Sequence, residues 1–406
     1  GIICGATVYR RKRGAWMIKT KKIYYENIRH TDFEAKVLQC LPDPKTGLWK
    51  IVLDQTAFFP EGGGQAADKG FLEGQSVLDV QIQDDIIYHY APDPIPQGRT
   101  VTGRVDWAQR FDFMQQHTGE HIISGLVSKH YGYDNVGFHL GLADVTLDFN
   151  GSLSMEQLRA IEAEANGVLW QNLPVLARFP SAQSLSQMHY RSKIELSGNI
   201  RIIEIPGIDV CACCAPHVER TGQVGLIKII NVQSHRGGIR VNILCGGRAL
   251  ADYTRKQEAV SDISVLLSAR ADRVADAVKR LQEENYSQKA KINSLQAQLL
   301  SCRMQTLPSP CLSQNALLFA DDMDAIAMRN AVNALTEKYI GYCGIFAGND
   351  KTGYRFVIGS KKMDCRELAQ KLREHFQAKG GGSSPMIQGS ICASEQNINS
   401  FFQDFQ

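Results

Sequence analysis

The chain has 406 residues, 44% of them hydrophobic and 21% charged, with a formal net charge of +3. That length allows two or three domains, and so small a charge excludes a global field for nucleic acid, leaving only local basic patches. No apolar run reaches the roughly 18 residues of a membrane-spanning helix, and eleven cysteines, an odd number in a chain this long, argue against a disulfide scaffold and for reduced thiols in a cytoplasmic protein.

The charges Arg10, Arg11, Lys12 and Arg13 follow the apolar start instead of preceding it, the reverse of a secretory signal. Residues 1–16 are expected to be an extension without a structural role, ahead of Met17. Across 17–104, period-two alternation predicts short strands at 33–38, 49–53, 77–82 and 86–90. Pro42, Pro44 and Gly47, then Pro92, Pro94, Pro96 and Gly98, punctuate them. The expectation is a small β-barrel-like domain. It carries Phe58-Phe59-Pro60-Glu61-Gly62-Gly63-Gly64-Gln65, whose glycines let the backbone turn tightly or approach a ligand closely. No Lys-Ser/Thr follows, which excludes a nucleotide P-loop.

Residues 105–248 mix helix and strand. A helix is predicted over 111–130 with Phe113, Ile122, Leu126 and Val127 buried, followed by strands at 136–140 and 145–149. Ser154 with Gln157 forms a capping box that opens a helix to Trp170. Further strands are predicted at 200–205, 224–232 and 239–244. Between the first two of these, residues 207–218 hold Cys211, Cys213, Cys214 and His217 in what the small residues and Pro216 predict to be a loop around an ion.

Residues 249–308 have the texture of one long charged helix. Leu267, Val274, Leu281 and Leu295 fall at heptad position a, and Ala271, Val278, Ile292 and Leu299 at d, with Asn285 and Gln288 interrupting the seam. The length of the repeat predicts a coiled-coil homodimer. Residues 309–406 predict an α/β domain: a strand at 316–319, a helix at 325–338, hairpin strands at 344–347 and 354–358, and a helix at 365–376. Gly380, Gly381 and Gly382 then precede a strand at 386–390. The chain as a whole reads as α+β.

His117 and His121 stand four apart on one helical face, where two neutral imidazoles can hold one metal ion. Two completions are open. His117-Thr118-Gly119-Glu120-His121 fits the His-x-x-Glu-His pattern of inverted zinc peptidases, with Glu120 as general base and Glu195 as third ligand. Alternatively Cys213 and His217 supply a thiolate and an imidazole, completing Cys-His₃ at a borderline-soft ion such as Zn2+, one per chain. Cys211 and Cys214 are competing thiolates; their Cys-x-x-Cys spacing lacks a thioredoxin context. The two glycine runs offer backbone N–H groups to phosphates. Lys19, Lys21, Lys22, Arg270, Arg273, Lys279 and Arg280 offer positive charge.

His-x-x-x-His followed by Cys-x-x-x-His resembles the editing domain of alanyl-tRNA synthetase and its free-standing relatives, the AlaX-type alanyl-tRNA editing proteins. Thr56 to Gln65 with Asp68-Lys69-Gly70 is similar to the family's glycine-rich motif. Gly137-Phe138-His139 and Thr146-Leu147-Asp148-Phe149 are similar to its strands beside the site, and Arg220-Thr221-Gly222-Gln223-Val224-Gly225 to the stretch after its Cys-x-x-x-His. The last domain resembles the C-terminal domain that alanyl-tRNA synthetase shares with DHH phosphoesterases, so the long form is the match.

The resemblance implies a zinc-dependent, ATP-independent aminoacyl-tRNA deacylase acting in trans on mischarged tRNA(Ala), chiefly Ser-tRNA(Ala) and also Gly-tRNA(Ala). The need is physical: one small group distinguishes alanine from these neighbours by only about 1–3 kcal/mol in a synthetase pocket, too little for faithful translation without a second sieve. It implies zinc at His117, His121, Cys213 and His217. Gln116, Thr118, Glu120, His139 and Asp148 are candidate pocket or catalytic residues, and Gly62, Gly63, Gly64, Gln65, Gly380, Gly381 and Gly382 are candidate tRNA contacts through their backbone N–H groups. One departure stands out. The family's threonine or glutamine for the serine hydroxyl is missing from Val136-Gly137-Phe138-His139, and Thr118 or His139 would have to serve. Two other readings stay open, a zinc peptidase and a non-catalytic tRNA-binding protein with structural zinc. Neither a membrane nor DNA is an expected partner.

Overall fold

Strict alternation builds the first sheet. In the computed structural model, which describes residues 19–142, 145–192, 200–310 and 314–404, seven antiparallel strands lie in the order Gln75–Val77, Gly70–Leu72, Thr100–Val105, Asp32–Pro42, Trp49–Leu53, Ile86–Ala91 and Asp79–Gln83. Phe33, Ala35, Val37, Ile51, Leu53, Leu72 and Ile87 point inward and form one core. A bulge between Val37 and Gln39 bends the longest strand, so its first half pairs with Thr100–Val105 and its second with Trp49–Leu53. Only Leu78 separates the two outermost strands in sequence, and its N–H donates to Tyr90 O at 2.8 Å. The sheet is thereby curled into a nearly closed barrel.

Asp106 ends the barrel and starts the central helix, Trp107–Tyr131. Its carboxylate accepts from the N–H groups of Ala108 and Gln109, and Gly132, with φ of 68°, ends the helix. This cap sets the start four residues before the predicted one. Phe113, Ile122, Leu126 and Val127 are all fully buried. The helix is enclosed on every side, because it packs against the helix Met155–Gln171, the strands Asn135–Leu140, Asp209–Ala212 and Gly238–Cys245, and a short turn at Thr221–Val224.

Two further antiparallel sheets complete the surroundings. One runs Asn135–Leu140, Val145–Phe149, Gly238–Cys245, Ile227–His235; the other runs Leu176–Arg178, Ile202–Ile205, Asp209–Ala212. The reciprocal capping box of Ser154 and Gln157 forms as its spacing predicts. The strand predicted at 224–232 begins only at Ile227, because Thr221–Val224 is a 3₁₀ turn that Gly225, with φ of 85°, breaks. Residues 207–218 are not all loop either: Asp209–Ala212 is a strand paired with Ile202–Ile205.

The chain divides into two units, Gly1–Val260 and Ser261–Gln406. The single long helix expected over 249–308 is instead two, Gly246–Leu266 and Val274–Gln305, separated by Ser268 with φ of 47° and a 3₁₀ turn at Ala271–Arg273. Leu267 and Ala271 fall in that break, so no single heptad register spans the segment. Beyond it, Leu281, Ile292, Leu295 and Leu299 keep their spacing and are exposed.

The second unit has a sheet ordered Ala316–Ala320, Cys343–Asn349, Gly353–Gly359, Met386–Ile391, Lys379–Ser383, with only the first pair parallel. Phe346, Ile358, Leu368, Leu372, Ile387 and Phe402 bind it to the helices Cys365–Phe376 and Glu395–Gln403. Gly380, Gly381 and Gly382 lie in its edge strand, paired along their length with Met386–Ile391. They form half of a hairpin, which leaves no loop there to cradle a phosphate. Met17 and residues 1–16 lie outside the described residues, as does Glu195. Among the described residues no helix is long and apolar enough to cross a membrane.

Candidate metal centre

One helical turn brings His117 and His121 to the same side of the central helix. The strand Asp209–Ala212 runs past them and turns into Cys213, Cys214 and His217. Arg201 pins that turn, donating from one guanidinium nitrogen to Cys213 O at 3.1 Å and to Ala215 O at 2.7 Å. The result is that ligand atoms of His117, His121, Cys213 and His217 all lie within 4.8 Å of one another.

Cys213 Sγ stands 3.4 Å from His217 Nε2 and 3.5 Å from His117 Nε2. In a tetrahedron with Zn–N near 2.0–2.1 Å and Zn–S near 2.3 Å, neighbouring nitrogen and sulfur ligands sit about 3.6 Å apart. The four residues therefore fit a zinc ion as they stand. Burial pushes the Cys213 thiol up, so its thiolate form needs a cation beside it. His121, Asp209 and Cys211 meet the same distance limit. The Asp209 carboxylate is already engaged by Arg191 and His121, which makes the four-residue set the better site.

Each imidazole is held from behind. His121 Nδ1 donates to Asp209 Oδ2 at 2.8 Å, and Arg191 grips the same carboxylate through two nitrogens at 2.8 and 2.9 Å. Burial opposes the charged carboxylate, but the hydrogen bonds from His121 and Arg191 win and hold Asp209 below the usual range. His217 Nδ1 meets Thr118 Oγ1 at 3.1 Å, and His117 Nδ1 meets Gln65 Oε1 at 2.9 Å. All three contacts engage Nδ1 and leave Nε2 for the centre.

His117, His121 and Cys213 line the floor of an open cleft of about 1120 Å³. Tyr25, Phe138, Phe179 and Arg201 form its walls, with the Arg201 guanidinium 4.9 Å from the Tyr25 ring centroid. Lys19 and Lys22 stand at the same cleft, both paired with Asp85 at 2.6 and 3.1 Å.

The remaining predicted residues scatter. Gln116 is buried and spends its amide on Cys245, accepting from its N–H at 2.7 Å and donating to its carbonyl at 2.8 Å. Glu120 is not a surface carboxylate. It is fully buried, its Oε1 accepts from Ser124 Oγ at 2.7 Å and Asn135 Nδ2 at 2.6 Å, and its Oε2 lies 3.8 Å from His121 Nε2. His139 is exposed and is not among the cleft-lining residues, while Asp148 forms a two-pronged pair with Arg240 at 2.7 Å. Gly63 and Gly64 line the cleft; Cys214 is exposed beside them.

Sequence reasoning missed Asp209, Arg191 and Arg201. One signal was available for Asp209: it alternates with Cys211 and, one step further, Cys213, so a strand there puts all three on one side. The buried pair of Arg110 and Asp68 was missed as well. Arg110 also donates to Ala57 O at 2.6 Å, and Asp68 accepts from Phe59 N–H at 2.6 Å. The first turn of the central helix is thus locked to the glycine-rich segment of the barrel.

Residues 19–109 match the family model for class II (A) tRNA synthetases, and residues 200–241 that for the threonyl and alanyl tRNA synthetase second additional domain. The alanine–tRNA ligase of Haloquadratum walsbyi is 32% identical over 86% of the chain, which spans 39% of that ligase. The alanyl-tRNA editing proteins Aarsd1 of Rattus norvegicus and Danio rerio are each 27% identical over 88% of the chain, covering 88% and 90% of their own lengths. The chain thus spans about two fifths of the ligase but nearly all of the editing proteins. These similarities support a relationship to the alanyl-tRNA editing proteins and to the matching part of alanine–tRNA ligases.

Proposed function

We propose that this chain is a zinc-dependent trans-editing hydrolase that cleaves the ester between a wrong amino acid and tRNA(Ala), chiefly serine and also glycine. The observation that carries this reading is the convergence of His117, His121, Cys213 and His217 within 4.8 Å, with His117, His121 and Cys213 lining an open cleft. Zinc held there supplies a Lewis acid for an ester carbonyl or an amino group.

The chain's own residues do the rest. Asp209, Thr118 and Gln65 hold the three imidazoles with Nε2 toward the centre. Tyr25, Phe138 and Phe179 give the cleft aromatic faces on which a nucleobase stacks. Arg201, Lys19 and Lys22 supply positive charge for a nucleotide's phosphate. The hydroxyl of Thr118 is occupied by His217 and the Val218 N–H at 3.1 and 3.3 Å, which weakens its candidacy for the serine side chain. His139 is exposed away from the floor.

Tight tRNA binding by 309–406, pairing of two chains through 249–308, and a cytoplasmic location belong to the same proposal, as does the division of the chain at 104, 248 and 308. The exposed Leu281, Ile292, Leu295 and Leu299 support the pairing. One competing reading has a specific basis. Four protein ligands fill a zinc tetrahedron, so the ion could be structural and the chain a tRNA-binding protein.

Hydrolysis of Ser-tRNA(Ala), Gly-tRNA(Ala) and Ala-tRNA(Ala) by the zinc-loaded chain separates the two. The proposal expects serine to be released fastest, glycine more slowly and alanine least. Binding of all three without hydrolysis of any would favour the structural reading.

A further inference from the structure

The glycine-rich segment of the barrel reaches the metal centre through one side chain. Gln65 is 1% exposed, and its Oε1 accepts from His117 Nδ1–H at 2.9 Å. The other ring nitrogen of His117 faces Cys213 Sγ at 3.5 Å. An acceptor behind Nδ1 fixes the tautomer with the proton there and leaves the Nε2 lone pair for the ion. A donor in the same place would select the opposite, non-binding tautomer.

The backbone around Gln65 is built to deliver that acceptor. Gly62 N–H donates to Gln65 O at 3.0 Å and Gln65 N–H to Gly62 O at 3.1 Å, closing a two-residue turn over Gly63 and Gly64. Both glycines have positive φ, 63° and 80°, as a type I′ turn requires. Gly64 also presses on the strand beside the centre. Its carbonyl accepts from Leu140 N–H at 2.9 Å, and a Cβ on it would lie 2.7 Å from Phe138 O. The turn is clamped between the barrel and the strand Asn135–Leu140, and Gln65 is the residue that emerges from it toward His117.

The other two imidazoles take their partners from nearby elements of the same zinc-bearing fold, Asp209 and Thr118. Of these three hydrogen bonds, that of His117 is the one supplied by the barrel. We infer that Gln65 is a positioning residue for the metal centre, and that the Gly63-Gly64 turn places its amide oxygen behind His117 instead of cradling a phosphate. This rests on the zinc reading of the centre. The fold couples barrel and centre, so a disturbance of the turn is felt as weakened metal binding.

The test uses the full chain, stripped of metal and titrated with Zn2+ against a chromophoric chelator, with Co2+ absorption as a second readout. Gln65→Met keeps the length and removes the acceptor, whereas Gln65→Glu keeps an acceptor oxygen. Circular dichroism confirms that each variant is folded. The expected result is zinc affinity roughly 10–100-fold weaker for Gln65→Met, the range typical of lost outer partners, with an altered cobalt ligand-field spectrum. Gln65→Glu should restore affinity to within a few-fold of the unsubstituted chain. Unchanged zinc affinity and cobalt spectrum in Gln65→Met overturn the inference, as does a loss in Gln65→Glu equal to that in Gln65→Met. An unsubstituted chain that binds no zinc overturns the zinc reading itself, and the inference with it.

Discussion

Two buried charges, Arg110 and Asp68, join the glycine-rich segment to the helix that carries His117 and His121. Both side chains are 0% exposed, and Arg110 spreads its nitrogens over Asp68, Ala57 O and Ile28 O. A buried pair of this kind contributes little over an apolar replacement, but removing one partner strands the other charge without solvent. Arg110→Ala should therefore lower unfolding stability by about 3–5 kcal/mol, measured by urea denaturation. A loss below about 1 kcal/mol would mean that Asp68 finds water or another donor. Nothing in the sequence marks the pairing: Asp68 belongs to the glycine-rich motif, but its partner lies 42 residues on, outside any local pattern. The histidines were legible for the opposite reason: their four-residue spacing already fixes a shared helical face. The partners behind the imidazoles were not, since Gln65 and Asp209 lie 52 and 88 residues from the histidines they hold. Glu120 completes a five-residue motif, and the fold splits its carboxylate: Oε1 accepts from Ser124 and Asn135, and Oε2 lies 3.8 Å from His121 Nε2.

The strand Ile86–Ala91 carries the clearest pH signature of the barrel. His89 is fully buried, its Nδ1 donating to Ile51 O at 3.0 Å and its Nε2 accepting from Thr56 Oγ1 at 2.8 Å. Burial holds its pKa down at about 4, against an ordinary 6.5. Below pH 6.5 the unfolded chain gains a proton that the folded barrel refuses. Its contribution is thus intact above that pH and drains as pH falls toward 4, by roughly 2 kcal/mol at pH 5. Thermal unfolding from pH 7.5 to 4.5 should show a shallower acid limb in His89→Gln than in the unsubstituted chain. Equal slopes would contradict this account. Strands such as this one were readable from alternation, and the capping box of Met155–Gln171 from the three-residue spacing of Ser154 and Gln157. Element ends were harder. Asp106 begins the central helix four residues early because a cap acts through side-chain oxygens that hydrophobic periodicity does not register. The break at Ser268 was hidden too, because no glycine or proline marks it.

Across the chain, every part of the candidate centre lies in the unit Gly1–Val260. The barrel contributes Gln65, the central helix His117, Thr118 and His121, and the strand and turn that follow contribute Asp209, Cys213 and His217. Order along the chain was legible, since each zone has its own periodicity. How the zones dock was not, because docking rests on long-range pairs such as Arg110 with Asp68. The proposed function stands or falls with a zinc ion bound by those four residues and used in the cleft to hydrolyse the ester. The direct measurement takes zinc content and serine release from Ser-tRNA(Ala) on the same preparations of the unsubstituted chain, Cys213→Ala and Cys214→Ala. The account predicts one zinc per chain and rapid release for the unsubstituted chain and Cys214→Ala, with both lost in Cys213→Ala. Full zinc content or full serine release in Cys213→Ala would contradict it.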